Sequence, residues 1–177
     1  MHSLPNIVLI GFMGSGKSSV GRILAAKLGR RMLDTDALVV EAAGMQIPDI
    51  FAARGEEAFR DYESRVLTWL LERPVSGAVI ATGGGIVLRE ANVARLRELG
   101  FVALLTADEE TLFERVSRKT SRPLLQTPDP RATLRELLAL REPFYAKAAD
   151  FTLDTTPLTH AQVADAVMAE AQRRYEG

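Results

Sequence analysis

The stretch Gly11-Phe12-Met13-Gly14-Ser15-Gly16-Lys17-Ser18 reads G-x-x-x-x-G-K-S, the spacing of a phosphate-binding P-loop. The apolar run Ile7-Val8-Leu9-Ile10 precedes it, and a helical pattern with Val20, Ile23, Leu24 and Leu28 on one face follows. That strand–loop–helix setting is the one in which the motif carries meaning. Its glycines let backbone N–H groups turn inward as an anion nest, and the helix N-terminus adds partial positive charge. Lys17 is spaced to reach β- and γ-phosphates, and Ser18 to hold Mg²⁺ through its hydroxyl. Gly14, Ser15, Gly16, Lys17, Ser18 and Ser19 are therefore the expected nucleotide contacts.

Outward from the loop, strands and helices alternate. Gly29 suits a helix C-cap, and Arg31-Met32-Leu33 leads as a second strand into Asp34-Thr35-Asp36. Strand carboxyl ends border the ligand crevice of an open parallel sheet, so Asp34 and Asp36 emerge on the P-loop's rim. They suit a helix N-cap and first-turn acid as well as a site role in which a carboxylate helps the metal, and the two are compatible. A mostly helical stretch, Pro48 to Arg73, is broken by Gly55. Its second part carries Phe59, Glu63, Val66, Leu67, Leu70 and Leu71 on one face, with Arg60 within reach of Glu63. Periodicity leaves two readings of that pair: a surface ion pair, or an arginine held by a semi-buried acid and aimed at an anion.

The strand Ala78-Val79-Ile80-Ala81-Thr82 ends in Gly83-Gly84-Gly85, where many P-loop enzymes carry an Asp. Three glycines on the ligand rim suggest close backbone approach to a ligand with N–H groups as donors, rather than a flexible turn. Phe101 to Leu105 is the next strand, and Asp108 caps the helix after it. From Arg115 to Arg122 the chain holds Arg115, Arg118, Lys119 and Arg122 and no acid, and a second polar loop runs from Gln126 to Pro130. A basic flap beside a phosphate cradle predicts a lid. In the following helix Arg141 falls on the apolar stripe, which demands an anionic partner, a bordering cleft or a snorkelling side chain. Phe151 to Asp154 is the last strand, and Thr159 with Gln162 forms a capping box for the final helix.

The expected fold is α/β: a five-stranded parallel sheet flanked by helices, one domain over residues 1–177, with a substrate-binding subdomain at about 34–63 and a lid at about 115–130. A net charge of -1 argues against a general nucleic-acid binder. No apolar run approaches the roughly 18 residues of a membrane span, and the N-terminus lacks signal-peptide features. With Cys 0 there is no disulfide framework and no thiolate metal site. A cytoplasmic monomer acting on a small molecule, without nucleic-acid or membrane partners, is expected. His2 and His160 stand alone, the first as a terminal residue and the second in a helix's first turn, with no further metal ligands beside them.

Six segments taken in order resemble the shikimate kinase family, which belongs to the nucleoside-monophosphate-kinase-like P-loop proteins. They are the P-loop, Asp34-Thr35-Asp36, Gly55 to Arg60 with Glu63, Thr82-Gly83-Gly84-Gly85, Arg122-Pro123-Leu124-Leu125, and Arg141-Glu142-Pro143-Phe144-Tyr145. The resemblance implies transfer of the γ-phosphoryl of ATP to the 3-hydroxyl of shikimate, in the route to aromatic amino acids. It implies that Lys17, Asp36 and Arg122 act at the reacting groups, with Asp36 binding the acceptor's hydroxyls as base or positioning group. Arg60 and Arg141 would grip the substrate carboxylate, Glu63 would orient Arg60, and Gly83, Gly84, Gly85, Phe51 and Phe59 would line the pocket. Asp34 would support Mg²⁺ through water beside Ser18, Arg122 would meet the phosphates, and Arg115 would lie on the adenine side. The family carries Thr-Gly-Gly-Gly after its third strand, so the missing Asp is no departure. A gluconate kinase is the alternative within the class, and an ATP-binding switch without transfer the alternative outside it.

Overall fold

Strand β1 (Asn6–Ile10) lies at the centre of a five-stranded sheet in a computed structural model that describes residues 4–73, 77–118 and 125–175. With β2 (Met32–Asp34), β3 (Val79–Ala81), β4 (Gly100–Thr106) and β5 (Phe151–Asp154), the order is β2-β3-β1-β4-β5, and every pairing is parallel. Parallel strands need crossover connections, and helices supply them. The chain runs β1, α1 (Lys17–Leu28), β2, α2 (Thr35–Ala43), α3 (Ile47–Glu72), β3, a 3₁₀ turn at Ile86–Leu88 and α4 (Glu90–Leu99). It continues β4, α5 (Glu109–Ser117), α6 (Pro130–Ala148), β5 and α7 (His160–Tyr175).

Alternation along β1 sorts the core into two layers. Val8 and Ile10 face one cluster with Leu67 and Leu70 of α3, Val93 and Leu96 of α4, Leu112 of α5 and Leu134 of α6. Ile7 and Leu9 face the other, with Val20 and Leu24 of α1 and Val163 and Val167 of α7. Both faces of the sheet are thus covered, as an all-parallel sheet requires.

Local signals act as their chemistry dictates. Gly29 ends α1 in the left-handed region, and the Asp108 side chain accepts from the Thr111 amide at 2.7 Å. Thr159 and Gln162 exchange the reciprocal bonds of a capping box. Gly55 kinks α3 at φ 80, ψ 174, splitting it into the two helical parts expected.

The predicted lid is corrected at its start. Arg115 to Ser117 form the last turn of α5, because Leu112 and Val116 anchor that helix in the core. Two surface arginine forks, Arg131 on Glu110 and Arg135 on Glu109, tie α6 back to α5. These forks join the starts of the two helices, α5 at Glu109 and Glu110 and α6 at Arg131 and Arg135. Lys119 to Leu124, including Arg122, lie outside the described residues, as does His2.

Candidate active site

β1 delivers the P-loop to the carboxyl edge of the sheet, at its centre. Gly11, Gly14 and Gly16 all take positive φ (145, 83 and 93), the region that a side chain disfavours. Gly16 is the N-cap of α1, so the helix starts at the phosphate cradle itself. Lys17 Nζ donates to the carbonyls of Gly11 and Phe12 at 2.7 and 2.9 Å, which pins its charge over the loop. Gly14, Gly16, Lys17, Ser18, Ser19 and Arg115 line one cavity of about 240 Å³. Ser15 does not line it; its side chain is buried and lies against Lys17. Arg115 donates to the Gly14 carbonyl at 3.3 Å and the Thr155 hydroxyl at 3.4 Å, so it bridges the P-loop to the turn after β5.

Asp34 serves two neighbours at once. Its Oδ1 accepts from the Asp36 amide at 2.9 Å and caps α2, while its Oδ2 accepts from the Ser18 hydroxyl at 3.3 Å. A hydroxyl and a carboxylate are oxygen donors of the kind a hard divalent cation takes.

A second cavity, of about 500 Å³, opens beside the first. It is lined by Asp34, Asp36, Phe51, Phe59, Arg60, Glu63, Gly83, Gly84, Gly85 and Arg141 among others. Asp36, Gly84 and Met13 line both cavities. The Phe51 and Phe59 rings lie 4.9 Å apart, and the Arg60 guanidinium stands 5.1 Å from the Phe59 ring centre. Arg141 is only 2% exposed and lies over the Phe12 ring at 5.5 Å, so it does not snorkel. Its Nε has no hydrogen-bond partner among the described residues. Tyr145, one turn on, donates to the Gly84 carbonyl, and burial pushes its phenol up to about 12.

The Arg60–Glu63 pair is buried, which removes the surface reading. Arg60 is 5% exposed and Glu63 0%, and Arg60 Nη1 donates to Glu63 Oε2 at 2.7 Å. Burial opposes the Arg60 charge, but Glu63 and Glu56 outweigh it and hold its pKa above the ordinary value. Burial pushes the Glu63 carboxyl up to about 7; Arg60 and Arg141 pull the other way, and Asp36 adds to the rise.

All three glycines line the cavity, as an approach to ligand requires, and packing within the site adds a second reason for two of them. None takes a positive φ. A Cβ on Gly83 would stand 2.6 Å from Asp36 Oδ1 and 2.9 Å from Glu63 Oε1, and one on Gly85 would stand 2.6 Å from Arg60 Nη2. Gly83 and Gly85 are held to glycine by the site's own charged side chains, whereas at Gly84 the atom nearest to a Cβ is the Met13 backbone nitrogen, at 3.3 Å. The Gly83 amide, expected to be open to a ligand, donates to the Thr35 hydroxyl at 3.0 Å.

Three residues escaped the sequence reading. Glu56 holds Arg60 from its far side, at 2.8 Å. Tyr145 fixes the Gly84 carbonyl. His160 lines the P-loop cavity, its Nε2 within 3.2 Å of where a Gly16 Cβ would stand. Glu56, four residues before Arg60 on one helix face, was the most legible of them.

A P-loop at the centre of this sheet, with an arginine-rich cavity sharing its rim, defines a phosphotransferase for a small anionic acceptor. Sequence narrows the class further. The family model described as Shikimate kinase matches residues 13–172. The chain belongs to the shikimate kinase family and is a kinase. It is 46% identical over 174 residues to a shikimate kinase of Thermodesulfovibrio yellowstonii, covering 98% of this chain and 99% of the relative. It is 49% identical over 175 residues to one from Symbiobacterium thermophilum, covering 97% and 98%. Among solved structures, a shikimate kinase from Acinetobacter baumannii in complex with shikimate superposes with a TM-score of 0.92 at 38% identity, covering 98% of this chain and 96% of that one. A gluconokinase from Sinorhizobium meliloti shares the fold, with a TM-score of 0.59 at 20% identity over 99% and 96% of the two chains.

Proposed function

We propose that this kinase moves the γ-phosphoryl group of ATP to the 3-hydroxyl of shikimate across the boundary where Asp36 and Gly84 line both cavities. That shared boundary carries the reading, because in-line transfer needs donor and acceptor side by side. The P-loop amides and Lys17 hold the phosphates and neutralise charge on the group in flight. Arg60 and Arg141, both buried and both cationic, receive the acceptor's carboxylate, for which a planar fork is the matching donor. Glu63 fixes Arg60 in that attitude. Phe51 and Phe59 wall the apolar side of the ring. Asp36 takes the acceptor hydroxyls and positions the attacking oxygen or receives its proton.

Ser18 and Asp34 fit Mg²⁺, which when bound neutralises charge on the β- and γ-phosphates. Arg115 meets the nucleotide from the adenine side. Residues from about 118 to 129, with Arg122, close as a lid between the end of α5 and the start of α6 and exclude water, which would otherwise take the phosphoryl group. Among the described residues no helix is long and apolar enough to cross a membrane, and the enzyme is read as a cytoplasmic monomer.

An ADP-release assay over shikimate, quinate and gluconate, with the product identified by mass, tests the reading. Turnover of shikimate to its 3-phosphate is expected. Turnover of gluconate without shikimate would overturn it, and ATP hydrolysis indifferent to all three would point to a switch.

A further inference from the structure

Arg60 already carries two acids. Its Nη1 donates to Glu63, and its Nη2 and Nε donate to Glu56 at 2.8 and 3.3 Å. The function proposed above, on which this inference rests, brings a third carboxylate to the same guanidinium. Five N–H donors in a fixed fork cannot serve three carboxylates well, so a resident acid must give way. The Glu56 side chain is 48% exposed and can turn into water. Glu63, wholly buried, has no water to turn to.

The charge around Glu63 points the same way. Arg60 faces it from its own helix, Asp36 from α2, and Arg141 and Tyr145 from α6; the Gly83–Gly85 turn brings no charge. Tyr145, with its phenol at about 12, stays neutral. Around Glu63, then, Arg60 and Arg141 balance Glu63 and Asp36, while Asp34, at the same cavity, accepts from Ser18 and the Asp36 amide. An arriving anion leaves this buried cluster with excess negative charge, which is costly away from water. Glu63 Oε1 is the place to relieve it. That oxygen has no hydrogen-bond partner among the described residues, and it converges with Asp36 Oδ1 on the face of Gly83.

We propose that the site takes up a proton from solvent as it binds its substrate's carboxylate, and that the proton lands on Glu63 Oε1. Protonated there, Glu63 keeps Oε2 as the acceptor for Arg60 and gains an O–H directed toward the Asp36 side of the turn. Glu63 is thus a positioning residue whose charge is adjustable. Its carboxyl, pushed up by burial to about 7, makes the proton available near neutrality. The sign follows from linkage. Well above pH 7 the free site is ionised and binding draws in a proton, whereas well below it Glu63 is already neutral and none is drawn.

Calorimetric titration of the intact protein with shikimate, at about pH 8 in phosphate and in Tris, reads the proton directly as a buffer-dependent heat. Uptake approaching one proton is expected. Shikimate affinity should be flat at lower pH and weaken by up to about tenfold per pH unit above the free carboxyl's titration. Shikimate methyl ester, which lacks the charge, should bind weakly with no uptake. Glu63→Gln should bind shikimate with equal heat in both buffers and a flat pH profile; should that variant not fold, the wild-type profile and the ester decide. Binding with the same heat in every buffer overturns the proton coupling alone, and so does equal uptake with the ester. No binding of shikimate in any buffer overturns the proposed function as well.

Discussion

The phosphate cradle and the acceptor cavity share Asp36 and Gly84 but are built by opposite means. The cradle is one contiguous stretch, Gly11 to Ser18, whose donors are mostly backbone and whose shape rests on left-handed glycines. The acceptor cavity draws side chains from α2, α3 and α6 and a turn after β3, and its working groups are buried charges. The first is set by local conformation and the second by tertiary packing. A change in the cradle should therefore strike chemistry or folding, and a change in the cavity should strike acceptor binding.

The largest effect is expected at Lys17. Lys17→Met removes positive charge from the transferring phosphate, and steady-state kcat should fall about 10²- to 10³-fold. Two glycine substitutions then break the comparison open. At Gly11, φ is 145 and a Cβ would overlap the carbonyl oxygen of Leu105, a backbone atom that cannot move aside. Gly11→Ala should cost about 3 kcal/mol, a fall of roughly 6–12 °C in Tm by thermal denaturation. At Gly85 the atom met is instead the Arg60 guanidinium. Gly85→Ala should leave Tm within a few degrees and raise the shikimate KM about tenfold or more, as Arg60 is pushed off its fork.

How much of this was legible follows the same division. The P-loop, the strand order's parallel class, the Gly55 break and the caps at Asp108 and Thr159 could all be read, because each is decided by residues adjacent in the chain. Arg60–Glu63 could not be resolved from periodicity, since its burial depends on α6 and on the Gly83–Gly85 turn closing over it. The turn lines the acceptor cavity as its glycines suggest, but the crowding of Gly83 and Gly85 by Asp36, Glu63 and Arg60 comes from tertiary packing and is not legible in the sequence. Arg115 looked like part of a basic flap until Leu112 and Val116 were seen to hold α5 in the core. His160 was passed over because only the packing of α7 beside α1 brings it to Gly16.

The smallest effect is expected where neither site is touched. Thr159→Ala removes the capping box of α7, behind the cradle, and should cost about 1 kcal/mol, or roughly 2–4 °C in Tm. Turnover should stay near wild type. A loss of activity larger than the loss of stability would mean that the start of α7 positions the nucleotide, and would draw the cradle's boundary wider.

The independence of the two halves is tested most directly by equilibrium titration of shikimate and ATP into Lys17→Met and Arg141→Ala. Lys17→Met should bind shikimate within about twofold of wild type while making no appreciable product, and Arg141→Ala should lose shikimate affinity about tenfold or more yet bind ATP within about twofold. Loss of shikimate affinity in Lys17→Met, or of ATP affinity in Arg141→Ala, would contradict the division into a locally built donor half and a packed acceptor half.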